Sequence, residues 1–585
     1  MLEALEGDTS GTVLTVTDGC DATGIGVVRD AALTLQCASP GCALGPLLVS
    51  GSDLTIKDAT LSAATTFPPG DKHKSIAASL GEVSGLYVED SSLSLERVDF
   101  AGNEDSQVGL LAVDSQVSVT EGSFRDYSEK GILLLPHLLD VALRVDGTQF
   151  SNLAVAGIVT GPPSGRGARV SLLSVDGAIF TEQKASLSDI YGFADSFEHT
   201  DTQHLGSVSY EAGVVDVTAN SVVITNPVFE DTFAGGGSSS FTLSVVDSVS
   251  ITGGRFLPAE RSSYNLLVYG TAAMQVEGGW WEFEGGVVVQ ASTLAWSGSR
   301  MTLRDGKAGT AALVTYGGTA EWSDNVICGA ESLVNTVNGV FQFYNTDVTM
   351  RRNVLQAISV PAGPLMVSSY LGELGYAEGP LTLTDNTLVR VEATSLFMGE
   401  LPELEFVNNL VSGGAMSLEP QALDALTAGN NLWYNDDATP TLPDGWPDTD
   451  LVGVEPIFVS GYTPICAPEP VDGEEWMPGP WPDPASPVVN AGWPAWRDED
   501  ETVSDIGAYN HFFDEEPPDT GGEDTGNPRH CSEVDDPTTP RDENCDGMAA
   551  TVGFGGGCWR GSAGLLAPIA AAVGLRRRRS RSPRP

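Results

Sequence analysis

A repeated eight-residue unit, here called the octad, constrains this chain more than any other feature of its sequence. It reads apolar, any, apolar, any, turn residue, any, any, large apolar, as in residues 93–100 (LSLERVDF). Alternation over its first positions is the two-residue period of a half-buried strand. Gly, Asn or Asp at the fifth position tolerates the left-handed backbone of a sharp bend. Copies that start mostly 20 to 30 residues apart indicate a solenoid, and we predict an all-β parallel β-helix.

The octads recur along most of the chain. They begin at Leu54, Leu93, Val117, Leu143, Leu173, Val222, Val249, Met274, Leu294, Ala320, Phe341, Leu381 and Leu404. The 49 residues between Leu173 and Val222 predict two turns with one weak copy. Because equivalent residues of successive turns stack, Phe100, Phe124 and Phe150 are expected in neighbouring layers of the core. A second ladder is expected from Trp296, Trp322, Phe343 and Phe406.

Two later stretches resemble a known family. Residues 430–435 (NNLWYN) with 454–458 (VEPIF), and residues 486–492 (SPVVNAG) with 505–509 (DIGAY), are similar to the last-turn and closing segments of bacterial right-handed β-helix (pectate-lyase-like) proteins. The resemblance covers roughly residues 12–513 and implies a right-handed parallel β-helix, the solenoid of that superfamily.

The chain is predicted to have four parts. Residues 1–513 form the β-helix, and residues 418–513 cap its end, beginning with a short helix at 418–426 (LEPQALDAL). Residues 514–529 (DEEPPDTGGEDTGNPR) are a disordered acidic Pro/Gly linker. A small cysteine-containing segment, a candidate metal-binding unit, follows at 530–554, and a sorting or anchor signal occupies 555–585.

The charge balance limits the partners. There are 29 Lys and Arg against 79 Asp and Glu, a formal net charge of -50. Such a surface repels polyanions unless cations bridge the two, so nucleic acid is excluded as a partner. Cell-surface or environmental glycans are the expected ligands.

The cysteines indicate an oxidising compartment. Cys37 and Cys42 are close enough to close a small disulfide loop, and so are Cys531 and Cys545. Neither set has the paired CxxC spacing of a zinc site. The sequence does not assign partners to Cys20, Cys328 and Cys466.

One segment of the tail has calcium-loop spacing. Asp542, Asn544 and Asp546, followed by Gly547, match the D-x-N-x-D-G pattern that places oxygens around Ca²⁺. The segment also resembles a metal-binding motif of deltaproteobacterial surface proteins. No carboxylate follows at 548–553 to close the site, so an acidic disulfide-bonded loop is the alternative.

The C-terminus indicates surface anchoring. Cys558 precedes a thirteen-residue apolar run at 563–575 and four arginines at 576–579. The run is too short to span a bilayer as a stable helix. The arrangement resembles the myxobacterial C-terminal sorting signal, which implies that sorting machinery processes and anchors the chain at Cys558, on the outer membrane. A disordered basic tail is the alternative. Residues 1–11 have no signal-peptide pattern, so we expect the export signal upstream of Met1.

Candidate catalytic residues are few. Residues 345–347 (NTD) resemble one polygalacturonase motif, and Asp436 with Asp437 could stand for a second, but no Gly-His-Gly or R-x-K occurs. A uronate lyase needs a basic residue and calcium-held carboxylates. The candidates for that role are Asp347, Arg351, Arg352, Asp385 and Arg390, with Asp324 beside them. Their alternative is a set of solvated ion pairs.

A histidine pair suggests a further site. His199 and His204 lie with Asp195, Glu198 and Asp201 in a presumed insertion at 193–205, which is expected to form either a metal loop or an exposed loop. Taken together, the sequence predicts an exported, non-catalytic surface protein for adhesion or glycan binding. The alternative is a polysaccharide lyase or glycoside hydrolase.

Overall fold

The computed structural model describes the greater part of one compact unit, Met1–Asp514, whereas the second unit, Glu515–Pro585, lies outside the described residues. The described residues are 5–6, 12–16, 26–39, 42–62, 83–103, 105–136, 141–161, 169–181, 188–210, 212–234, 239–258, 264–283, 286–304, 313–329, 332–334, 339–369, 379–398, 400–413, 422–435, 442, 446–459, 480–498 and 501–509. Within them the regular structure is β-strand alone, without a helix.

Each turn of the chain contributes three strands: one before the octad bend, one after it, and a return strand. The strands before the bend are Thr12–Val16, Ala32–Cys37, Asp53–Lys57, Ser92–Glu96, Gln116–Thr120, Ala142–Asp146, Val170–Asp176, Thr319–Ser323, Asp347–Arg351, Leu381–Thr384, Glu400–Val407 and Ala422–Gly429. The return strands are Leu5–Glu6, Gly26–Arg29, Leu47–Ser50, Val83–Glu89, Val108–Val113, Lys130–Leu135, Ala156–Thr160, Leu313–Tyr316, Phe341–Tyr344, Met366–Ser369 and Phe397–Met398. In the middle turns the return strand and the next before-bend strand merge into Ser188–Thr200, Val215–Thr225, Ser239–Thr252, Tyr264–Glu277 and Val287–Ser297.

The after-bend strands form a second continuous ladder. They are Cys42–Leu44, Ala59–Ser62, Asp99–Ala101, Ser123–Arg125, Gln149–Ser151, Ile179–Thr181, Gln203–Leu205, Val228–Ala234, Arg255–Pro258, Trp280–Phe283, Arg300–Leu303, Val326–Gly329, Val354–Gln356, Thr387–Val389, Leu410–Ser412, Leu432–Tyr434 and Leu451–Val452. Short strands also occur at Val208–Ser209, Ser359–Val360 and Glu392–Ala393. Each strand pairs in parallel with the equivalent strand of the next turn, for example Leu93↔Val117 and Phe100↔Phe124. The predicted all-β parallel β-helix is therefore confirmed.

The expected phenylalanine ladder lies at the centre of the solenoid. Ring centroids are 4.3 Å apart between Phe100 and Phe124, 5.3 Å between Phe124 and Phe150, and 4.7 Å between Phe150 and Phe180, with nearly parallel planes. All four rings are fully buried. In these turns the eighth octad position thus supplies one aromatic ring per turn, and each ring covers the next.

The second predicted ladder is only partly present. Trp296 and Trp322 stack with centroids 5.0 Å apart. Phe343 is not in their column, because it lies on a return strand and pairs with Thr315. The octad placed at 341–348 was therefore out of phase, and the true copy begins at Val348, the residue that pairs with Ala320.

Of two other expectations for particular segments, one was wrong and one is confirmed. The helix expected at 418–426 does not form over its described part, since Ala422–Gly429 is a strand that pairs with Glu400–Val407. The weak copy expected between Leu173 and Val222 is present. It runs from Phe197, which pairs with Leu173, to His204, which pairs with Phe180.

A buried asparagine ladder, absent from the sequence predictions, joins the later turns at the sixth octad position. Each side chain accepts a hydrogen bond from the main-chain N–H of the equivalent residue one turn earlier and donates to a main-chain carbonyl. The members are Asn325, Asn353, Asn386, Asn409 and Asn431. Asp450 ends the ladder, where it also accepts the indole N–H of Trp433 and of Trp446, at 2.7 Å each.

The closing segment lies against the last turns. Val488 and Ile506 are buried in one cluster with Val389, Leu410 and Leu432. The Ala508 N–H donates to Thr387 Oγ1 at 2.8 Å, and the Trp493 N–H donates to Asn408 Oδ1 at 2.6 Å. In the described part of the chain, no helix has the length and apolar character needed to cross a membrane.

Candidate functional site

An open groove crosses the outer face of five neighbouring before-bend strands. Its floor has two outward rows that run across the strands, and each strand gives one residue to each row. The first row is Ser248, Ala273, Thr293, Thr319 and Asp347, and the second is Ser250, Gln275, Ala295, Glu321 and Thr349. Parallel strands stand about 4.8 Å apart, so the groove is about 19 Å long.

The outward rows of the groove are mostly polar, whereas Val249, Met274, Leu294 and Ala320, which lie between the rows, are apolar. Ser and Thr hydroxyls and the Gln275 amide can both donate and accept hydrogen bonds. Glu321 and Asp347 place two carboxylates toward one end. None of the lining residues is Lys or Arg. This chemistry matches a ligand with many hydroxyl groups and little negative charge.

Two tyrosines stand at the corner beside the groove. Tyr316 and Tyr344 lie on adjacent return strands, three residues before Thr319 and Asp347 respectively, and stack with centroids 4.9 Å apart. Both rings are half-buried, and the Tyr344 hydroxyl donates to Gln342 Oε1 at 2.7 Å. The two rings lie at the corner that precedes the first row, and neither tyrosine is among the residues that line the groove.

The predicted basic cluster forms ion pairs. Arg352 contacts Asp324 through two nitrogens, at 2.6 and 2.8 Å, and both side chains are substantially exposed. Arg351 Nε lies 3.5 Å from Asp385 Oδ2. Burial raises the pKa of Asp385, whereas the Asn408 hydrogen bond and the two arginines lower it. Each of these two arginines is therefore paired with a carboxylate of a neighbouring turn.

The other candidates lie apart from these pairs. Asp347 begins the strand that Arg351 ends, so about 13 Å of strand separates them. Arg390 follows the after-bend strand Thr387–Val389, at the next corner of the turn. The structure thus places Asp347 in the groove and divides the remaining candidates between two other corners.

Asn345 occupies a turn. It connects the return strand Phe341–Tyr344 to Asp347–Arg351 and has a left-handed φ of 53°. Its position is explained by the turn, as the octad argument anticipated for such residues. Asp436 and Asp437 lie outside the described residues.

The predicted disulfide of the N-terminal region is present between Cys37 and Cys42, whose Cα atoms are 5.8 Å apart. Cys328 is buried. The remaining predictions on cysteines and calcium fall outside the described residues: Cys20, Cys466, Cys531, Cys545, Cys558, Asp542, Asn544 and Asp546. Among the residues that are described, no group of three His, Cys, Asp or Glu side chains is arranged to hold a metal ion.

The histidine pair is buried, which corrects the expectation of an exposed loop. His199 lies on Ser188–Thr200 and His204 on Gln203–Leu205, and both are fully buried. Asp195, Glu198 and Asp201 lie at the exposed surface, away from the two rings. The expectation failed because a histidine at the eighth position was not recognised as a member of the aromatic ladder.

His204 belongs to a polar network in the core. Its Nδ1 lies 2.7 Å from Asp189 Oδ2, and the Ser207 hydroxyl donates to the same oxygen at 2.6 Å. Its Nε2 lies 3.1 Å from His199 Nε2. Asp189 carries no octad signal, and only the tertiary structure brings it to the histidines.

No protein-family model matches this chain, and no curated protein matches it in sequence.

Proposed function

We propose that the chain is an exported surface protein that binds glycans in the groove without cleaving them, and so contributes to adhesion. The observation that supports this best is the groove itself: two outward rows on five adjacent strands, in which five of the ten side chains carry a hydroxyl group and three more carry an amide or a carboxylate. Strands hold such rows in fixed positions, so little side-chain entropy is lost when a ligand binds.

The charge of the groove favours neutral glycans. Glu321 and Asp347 would repel a uronate, and no lining residue carries the positive charge that would offset the repulsion. The net charge of -50 acts in the same direction at longer range. A polyuronate would bind only with a bridging cation.

The test is to fill the groove. Ala295 is an exposed small residue of the second row, and Ala295→Trp is expected to block the floor. Binding of neutral oligosaccharides, found first on a glycan array and then measured by titration calorimetry, should fall at least tenfold.

The matched control is Ala425→Trp. Ala425 is an exposed alanine on the before-bend strand Ala422–Gly429, three turns beyond the groove, and this variant should bind like the unmodified protein. If the full chain bound no glycan, or if Ala295→Trp bound as well as Ala425→Trp, the proposal would be refuted.

One observation favours the alternative of a glycoside hydrolase. Glu321 pairs with Thr349 and Asp347 pairs with Thr319, so the two carboxylates are diagonal neighbours on adjacent strands and face the same groove. Most glycosidases use two carboxyl groups that flank the scissile glycosidic bond. Incubation of neutral and uronate glycans with the protein, with and without Ca²⁺, separates the two functions: product release that Glu321→Gln abolishes would establish the hydrolase.

Surface display is the second part of the proposal. The Cys37–Cys42 disulfide supports an oxidising compartment. We further propose export from the cell, anchoring at Cys558 by the sorting machinery, and calcium binding by Asp542, Asn544 and Asp546, on the motifs described above.

A further inference from the structure

A histidine interrupts the aromatic ladder at one turn. His204 stacks between Phe180 and Phe229, with centroid distances of 4.9 and 4.5 Å. His199 lies in the inward column between Val175 and Ile224. Both rings have no exposed surface, and Asp189 is 1% exposed. Three ionisable side chains are therefore enclosed in a core that is otherwise apolar at these positions.

The two rings meet head-on. Their planes differ by 7°, their centroids are 5.4 Å apart, and the two Nε2 atoms are 3.1 Å apart. This geometry is an in-plane hydrogen bond, in which one Nε2 carries a proton and the other accepts it. The contact between His204 Nδ1 and Asp189 Oδ2, at 2.7 Å, holds a second proton. The chain Asp189–His204–His199 is thus continuous.

The hydrogen bonds limit the number of protons. Each of the two contacts holds one proton, and the only other ring position is His199 Nδ1, which has no hydrogen-bond partner in another residue among those described. With Nδ1 unprotonated the three side chains carry one negative charge; with Nδ1 protonated they are neutral, and both hydrogen bonds remain. A fourth proton on a ring would place two N–H groups against each other and break the His–His bond, and a fourth proton on Asp189 Oδ1 would leave a net positive charge in the core.

We propose that Asp189, His204 and His199 form a buried proton-binding site that holds three protons in the folded protein and makes the stability of these turns depend on pH. The neutral state is favoured because an uncompensated charge in an apolar core is costly. At low pH the unfolded chain binds a fourth proton that the folded site does not bind, so a fall in pH favours unfolding.

The surroundings of His199 shift its pKa downward. Burial lowers its pKa well below the usual range, the facing His204 lowers it further, and a contact with the main chain of the same residue opposes both. Since the folded pKa is depressed, the folded state binds fewer protons than the unfolded state below about pH 6.5, and stability is lost as the pH falls.

Other ionisable groups on the packed elements lie at or near the surface and do not join the chain. They are Arg169 and Asp216, which are partly buried, and Asp176, Asp195, Glu198, Asp201, Glu230 and Asp231, which are exposed. Burial raises the pKa of Asp216 to about 6, so its contribution to stability changes with pH in the opposite direction. It must be removed as a confounding group.

The experiment compares hydrogen exchange at pH 6.5 and pH 5, corrected for the intrinsic pH dependence of exchange, because the folded site binds fewer protons than the unfolded chain only below about pH 6.5. It uses the full chain with Asp216→Asn as the reference. Opening of Ser188–Thr200 and Val215–Thr225 should increase by up to about tenfold per pH unit for each proton taken up. The comparison variant adds three substitutions. His199→Ile and His204→Phe restore the residue types of the adjacent turns, and Asp189→Asn removes the carboxylate charge. This variant should lose the acid response.

A second measurement needs no core variant. In the ¹⁵N-histidine-labelled protein, His199 and His204 should keep one unchanging set of ring ¹⁵N shifts from pH 8 to pH 6. Ordinary titration of His199 and His204 near pH 6.5 would overturn the proposal. An equal acid response in the variant that lacks all three ionisable side chains would overturn it as well.

Discussion

At the scale of the residue, the fifth octad position shows how the solenoid tolerates strain. Gly253, Asn226 and Asp324 have the left-handed φ that the sequence predicts, but so do Arg97 and Arg352, which have no such intrinsic preference. Both arginines pair with an aspartate at the same position of the preceding turn; Arg97 Nε is 2.6 Å from Asp58 Oδ1. At these two positions an ion pair between turns is present where the residue type disfavours the left-handed backbone conformation.

Asp216 carries the clearest prediction at this scale. Burial raises its pKa from 3.8 to about 6, and a hydrogen bond from the Gly213 main chain opposes the shift. A raised folded pKa gives stability that is present below about pH 4 and is lost as the pH rises through 6. Asp216→Asn should therefore stabilise the protein at pH 8 by roughly 1–3 kcal/mol, with no gain at pH 4.

Thermal midpoints at the two pH values measure this difference. Glu198→Gln, an exposed carboxylate on the neighbouring strand Ser188–Thr200, is the matched control and should change the midpoint little at either pH. A stabilisation of Asp216→Asn that is the same at pH 4 and pH 8 would contradict the assignment.

At the scale of the element, two different corners of each turn share one pattern. Both the octad bend and the corner after the return strand use left-handed residues, for example Asp324 at the first and Asn345 at the second. The string apolar, any, apolar, any, turn residue therefore fits both corners. Only the inward residue after the bend distinguishes them, which is why residues 341–348 were assigned out of phase.

The asparagine ladder is the element whose removal should cost most. Asn386 is fully buried, accepts from the Asn353 main chain and side chain at 3.0 Å each, and donates to the Met350 carbonyl at 2.8 Å and to Asn409. Asn386→Ala leaves several buried polar groups without partners, each costing about 1–3 kcal/mol. We expect a loss of about 3 kcal/mol or more in stability.

Denaturant unfolding followed by intrinsic fluorescence measures this loss. Asn220→Ala is the control, since Asn220 hydrogen-bonds Asp195 at the surface and its loss should cost about 1 kcal/mol or less. Equal effects of the two substitutions would show that the ladder adds nothing beyond an ordinary surface hydrogen bond.

At the scale of the whole molecule, the parallel stack gives one continuous core from the first turns to the last. Outward rows repeat from turn to turn, so a binding surface such as the groove extends across strands that are far apart in sequence. The formal net charge of -50 acts at longer range and disfavours polyanionic ligands.

The proposed anchoring makes a prediction at this scale. In a host with the sorting machinery, the chain expressed behind an added export signal should be accessible to protease on intact cells. Cys558→Ser should instead release it to the medium or leave it unprocessed, because the anchoring sulfur is lost. Cell fractionation with immunodetection gives the readout, and Cys328→Ser, at a buried core position, is the control. Unchanged surface retention of Cys558→Ser would exclude this cysteine as the anchor.

The sequence by itself determined the strand, the bend and the aromatic column, because these depend on local alternation, on residues that tolerate left-handed φ, and on one large residue per turn. Phe100, Phe124 and Phe150 were placed correctly for that reason. Only the tertiary structure decided which side chains meet across turns: Asp189 with His204, Asn353 with Asn386, Thr319 with Asp347. Those pairings depend on the lengths of the intervening loops, which vary from turn to turn and leave no periodic trace in the chain.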